Sequence, residues 1–143
     1  MSDVIIPDEW LIHDLRGDNG EESQRVAVDF LGRVVRKCDR IAILRGSPFA
    51  DKILALMMKD EGVKVRRLAR YFRLQFIQNS KKCVVLPSGR DIGVDLSTKV
   101  PAADRYLFET REALGEGLIV TADSDLFGLE GVRMRAEFLR EYR

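Results

Sequence analysis

The sequence predicts an α/β fold, a three-layer α/β/α sandwich around a mostly parallel central sheet, and three observations lead to it. Apolar runs of strand length alternate with segments of helical period along the whole chain. The 143 residues, 45% of them hydrophobic, suit one domain with a single core and no external staples. Carboxylates gather just past two of the apolar runs, and a parallel sheet presents its functional residues beyond the C-terminal ends of its strands.

The elements follow in order. Val4 to Pro7 is a short apolar run and reads as the first strand, after which Asp8 is a helix cap ahead of Trp10, Leu11, Ile12 and Leu15. A turn-rich stretch from Arg16 follows. Val26, Phe30, Leu31, Val34 and Val35 then recur at helical spacing up to Lys37. Asp39 to Leu44 is the second strand, and Ser47 with Pro48 has the form of a cap and first helical residue for a helix reaching Asp60. Gly62 breaks that helix. Val65, Leu68, Ala69, Phe72, Phe76 and Ile77 mark the next one, whose other side holds Lys64, Arg66, Arg67, Arg70 and Arg73. Lys82 to Pro87 is a third strand, Ser88 to Thr98 a long loop, and Asp104 opens a further helix. Gly117 to Thr121 is the fourth strand, Val132 to Ala136 the last, and a short helix from Glu137 to Tyr142 closes the chain.

Composition excludes several classes of function. Lys and Arg (24) nearly cancel Asp and Glu (23), so affinity for a nucleic acid has to come from local segregation of charge. Cys38 and Cys83 belong to no zinc or iron-sulfur spacing and are expected as reduced core residues. No apolar run reaches the roughly 18 residues of a membrane span, and no basic-then-apolar leader opens the chain, so a cytoplasmic protein with no membrane partner is expected. Neither a G-x-G-x-x-G nor a P-loop sequence is present. Trp10 reads as core, and His13, the one histidine, as structural or surface.

The richest stretch is Gly117-Leu-Ile-Val-Thr-Ala-Asp-Ser-Asp-Leu126, a buried strand delivering Asp123 and Asp125 to the sheet edge. With Asp104 from the preceding helix, three carboxylates can meet, and clustered acids suit a divalent cation such as Mg2+ or Mn2+, which prefers oxygen ligands. A purely structural account makes Asp104 and Asp123 helix N-caps and Asp125 a solvated first-turn acid. The basic face from Lys64 to Lys82, with Tyr71 and Phe72, suits RNA phosphates and an unpaired base, or else is a solvated helix face over the core.

Asp104 to Leu114, followed by Leu118-Ile-Val-Thr-Ala-Asp-Ser-Asp-Leu126, resembles the acid-led helix and Thr-x-Asp-x-Asp strand end of the PIN-domain superfamily of metal-dependent ribonucleases and the related NYN group. Gly131 to Leu139 is similar to that family's final strand and turn, so the resemblance covers nearly the full chain and implies a PIN-like fold. It implies that Asp104, Asp123 and Asp125 are catalytic metal-site acids, with Thr121 the hydroxyl residue beside them. Near the N-terminus an ungapped match puts Pro7 at the place of the first acid, and Asp8 supplies that acid after a shift of one residue. For the family's middle-helix acid, Asp51 is the nearest candidate and Glu22 the next, while Asp91 and Asp95 in a Gly-x-Asp-x-Gly-x-Asp run are further sources of a ligand. The implied activity is endoribonucleolytic hydrolysis of RNA with Mg2+ or Mn2+, with Arg66, Arg67, Arg70 and Arg73 guiding the RNA. The implied setting is a toxin with an antitoxin protein partner or an RNA-processing nuclease, and the implied assembly a homodimer. The alternative is a catalytically degenerate PIN-like module that binds RNA or a protein without cleavage. The direction of the Asp8 carboxylate separates the two.

Overall fold

The structure, a computed structural model, describes residues 3–59 and 61–143. Five short apolar segments form one all-parallel sheet: β1 (Val4–Pro7), β2 (Arg40–Leu44), β3 (Cys83–Leu86), β4 (Leu118–Thr121) and β5 (Val132–Met134), in the spatial order β3-β2-β1-β4-β5. All four residues of β1 are buried, as a central strand covered on both faces requires. It pairs with β2 through Val4↔Arg40 and Ile5↔Ile41 and with β4 through Ile5↔Leu118, Ile6↔Ile119 and Pro7↔Val120. Successive N–H groups of a strand face opposite neighbours, and the Asp8 N–H donates to Val120 O at 3.2 Å. The missing N–H of Pro7 therefore falls on the β2 side, where the register with β1 has ended at Ile5. Proline is tolerated in this central strand because it stands where the ladder has already stopped on that side.

Seven helices cover the sheet among the described residues, an arrangement compatible with a three-layer sandwich. Between β1 and β2 lie α1 (Trp10–Arg16) and α2 (Glu21–Arg36), and between β2 and β3 lie α3 (Pro48–Met58) and α4 (Val63–Phe72). Then α5 (Val94–Lys99) and α6 (Arg105–Leu114) precede β4, and α7 (Arg135–Glu141) follows β5. Ser47 caps α3 by accepting the Ala50 N–H at 3.1 Å, with Pro48 in the first turn, as the sequence predicts. The core runs through Leu11, Phe30, Ile41, Phe72, Leu107 and Ile119, each nearly or wholly without solvent exposure.

Several boundaries differ from expectation. The helix predicted from Val26 starts at Glu21, where Glu21 and Glu22 place negative charge in the first turn and complement the helix dipole. The predicted end of α3, Asp60, lies outside the described residues; the helix stops at Met58. Beyond α4 the chain continues through a π-helical turn, Arg73–Ile77, which keeps Phe72 and Phe76 stacked with ring centroids 5.3 Å apart. The predicted loop to Thr98 contains α5, whose start follows Gly93 at φ +83°, with the Ser97 N–H on Gly93 O at 3.1 Å. The last strand stops at Met134, and Arg135 already begins α7. Cys38 is exposed and corrects the expectation of two core cysteines: it follows the end of α2, while Cys83 is buried in β3. No helix among the described residues is long and apolar enough to cross a membrane.

Candidate metal centre at the sheet edge

Strands β2 and β3 lie on one side of β1, and β4 and β5 on the other, so the winding of the sheet reverses between β1 and β4. The connections that leave two such neighbouring strands run in opposite directions and form a natural crevice beyond the strands' C-terminal ends. Asp8 leaves the end of β1 and Thr121 closes β4, side by side. The Thr121 hydroxyl, fully buried, donates to Asp8 Oδ2 and accepts the Asp123 N–H at 3.0 Å. Asp8 Oδ1 accepts the Trp10 N–H at 3.0 Å, so both oxygens of this carboxylate are held. Trp10 is itself fixed by its indole N–H on Val120 O at 2.8 Å, and its ring is buried as predicted.

Asp104 enters from the 3-10 turn Ala102–Asp104 that leads into α6. It makes no cap to that helix, and its carboxyl lies beside that of Asp123. Burial, the adjacent Asp123 carboxyl and the negative charges of Asp8 and Glu9 push the pKa of Asp104 up to about 6. Burial also raises Asp8, with Glu9 adding to the effect, against the opposing bonds from Thr121 and Trp10. Asp123 does act as a cap in one respect, since its Oδ1 accepts the Asp125 N–H at 2.9 Å across the turn Ser124–Leu126.

A cleft of about 420 Å³ brings Asp8, Asp104 and Asp123 together with Glu9, Trp10, His13 and Tyr106. Glu9 and Tyr106 are residues that sequence reasoning missed. Glu9 had one signal, a second carboxylate directly after Asp8; Tyr106 had none, because the passage from a 3-10 turn to α6 at Asp104 breaks the periodicity that would relate the two. The Tyr106 ring is buried, its hydroxyl has no hydrogen-bond partner, and burial with the charges of Asp8, Glu9 and Asp104 holds its pKa well above the usual range. It is thus a neutral donor beneath a group of acids. His13 shares its Nδ1 with Asp18 at 3.1 Å on the rim.

Other predicted site residues lie elsewhere. Asp125 is exposed and lines a second, more open cleft of about 700 Å³ with Lys99, Pro101 and Arg105. Arg66, Arg67, Arg70 and Arg73 are exposed, and none of them lines the acid cleft; Arg66, Arg70 and Arg73 border a cavity of about 170 Å³ with Lys59, between α3 and α4. Asp51, Glu22 and Asp95 are exposed on the first turns of α3, α2 and α5, and Asp91 on the approach to α5, all outside the acid cleft.

Asp8, Glu9, Asp18, Asp104 and Asp123 give the cleft carboxylate oxygens, the type that Mg2+ and Mn2+ take, alongside His13, Asn19 and Tyr106. As the side chains stand, Asp104 is turned onto Asp123, and among the described residues no group of three His, Cys, Asp or Glu side chains is set to hold a metal ion. No family model matches the chain, and neither the curated proteins nor the solved structures contain a match to it.

Proposed function

We propose that the chain is a PIN-like, metal-dependent endoribonuclease of three-layer α/β/α build that hydrolyses RNA phosphodiester bonds at the cleft between β1 and β4. The observation that carries the reading is the Asp8 carboxylate, held by Thr121 and Trp10 inside the same cleft as Asp104 and Asp123. The one-residue shift that Pro7 imposes has thus not taken the first acid away from the others. Asp8, Glu9, Asp104 and Asp123 would hold the ion. When bound, Mg2+ or Mn2+ supplies positive charge against the phosphate and makes water a nucleophile at neutral pH.

The protein's own part is positional. Thr121 fixes Asp8 and the Asp123 backbone with one hydroxyl, so two acids from different strand ends share a single anchor. Asp104 and Asp123, side by side in the cleft, would present two carboxylates to the cation, whose charge offsets the repulsion that raises the pKa of Asp104. Tyr106, which lines the same cleft, has a buried hydroxyl with no hydrogen-bond partner and so a donor still unused.

The test is cleavage of single-stranded and structured RNAs with Mn2+, Mg2+ or EDTA, comparing wild type with Asp123→Asn after both are shown folded. Metal-dependent cleavage that disappears in the variant is expected. A second reading, a degenerate PIN-like module that binds RNA or a protein, draws on the outward placement of Asp125 and the closed Asp104–Asp123 pair. Folded wild type that gains thermal stability from Mn2+ yet cleaves nothing would favour it.

A further inference from the structure

We propose that the open cleft beside the acid centre, bordered by Lys99 and Arg105, holds the backbone phosphates of single-stranded RNA on one side of the scissile bond. This inference rests on the nuclease reading and names the part of the site that would grip its substrate. The acid cleft cannot do so unaided: Asp8, Glu9, Asp18, Asp104 and Asp123 all line it, and His13 is the sole basic side chain among its lining residues. A polyanion entering there meets a negative field and needs cations close by.

Arg16, 3.8 Å from Asp18, is already paired with Glu61, and Arg135, over the Trp10 ring, with Asp14; two further cations lie in the second cleft, which is joined to the acid centre at two points of the chain. Arg105 follows Asp104 in the chain, and Asp125 is tied to Asp123 by its N–H. Arg105 donates Nη2 to Ser97 O at 3.1 Å, which holds the guanidinium at the cleft and leaves its other N–H groups for a phosphate. Lys99 ends α5 in the same cleft, and neither cation forms an ion pair among the described residues. Phe127, two residues beyond Asp125, is 73% exposed and offers a face on which an unpaired base can stack. That feature favours a single strand over a duplex. No residue of α4 lines either cleft.

The experiment measures binding of a fluorescein-labelled single-stranded oligoribonucleotide by anisotropy, in EDTA and over a range of salt. It compares wild type with Lys99→Ala/Arg105→Ala, Phe127→Ala and Arg67→Ala/Arg70→Ala, all checked by circular dichroism. The cleft pair is expected to weaken binding on the order of tenfold and to reduce the salt slope by about 1.4, the value for two phosphate contacts on a single strand. Phe127→Ala is expected to weaken binding with the slope kept. Wild-type affinity and slope in the cleft pair, with both reduced in the α4 pair, would overturn the inference and move the RNA to α4. Wild type that neither binds nor cleaves RNA would remove the nuclease reading itself, and the cleft's assigned occupant with it.

Discussion

Asp104 carries the clearest electrostatic consequence of a single residue. Its carboxyl retains a proton to about pH 6 in the folded chain, against an ordinary value of 3.8. Between those two values the folded state binds the extra proton, so stability falls as pH rises, and the loss stays constant above the window. Asp104→Asn keeps a neutral polar group beside Asp123 and removes that titration. Thermal melts in EDTA from pH 4 to pH 7 are therefore expected to show the variant gaining stability relative to wild type as pH rises. A constant difference would mean that Asp104 is already ionised beside Asp123. The acids themselves were legible in the sequence, because Asp123 and Asp104 flank an apolar run and an amphipathic helix. Tyr106 was not, since an unpartnered hydroxyl is a property of packing that no spacing encodes.

At the level of elements, the short α7 depends on what its end reaches. A helix of 7 residues is marginal alone, and it is fixed by Tyr142 just beyond it. The Tyr142 ring packs against Phe30 and Phe138, its carbonyl accepts from Arg33 Nη1 at 2.8 Å, and its hydroxyl donates to the buried Asp39 at the head of β2. Burial alone would raise the pKa of Asp39, yet the Tyr142 hydroxyl, the Asp3 N–H and Lys37 together hold it below the ordinary carboxylate value of 3.8. A lowered pKa contributes stability above the unfolded value and loses it as pH falls through the folded one. Tyr142→Phe is expected to cost about 1–3 kcal/mol at pH 7, with a smaller loss at a pH low enough to protonate folded Asp39, which lies below its ordinary value of 3.8. Urea unfolding at the two pH values measures both. Helical and strand periodicity located these elements because their buried faces are apolar. It missed α5, which buries no residue fully and so leaves no stripe to detect.

For the whole molecule, alternation of strands and helices predicted a parallel sheet, but strand order is a matter of which neighbours meet, and the sequence carries no local signal of it. The order β3-β2-β1-β4-β5 puts Asp8 and Thr121 at the reversal point and leaves Asp125 on the far side of its turn. That placement makes the four acids unequal in a way that sequence similarity did not. If the cation site is the crevice between β1 and β4, Mn2+ stabilises wild type by mass action, about 2.7 kcal/mol at a hundred times its Kd. Asp8→Asn removes a carboxylate from the crevice and is expected to abolish most of that gain. Asp125→Asn, in the neighbouring cleft, is expected to retain it. Thermal melts against Mn2+ concentration distinguish the two variants without any RNA or turnover. Retention in Asp8→Asn with loss in Asp125→Asn would shift the cation to the Lys99–Arg105 side and contradict the assignment to the switch point.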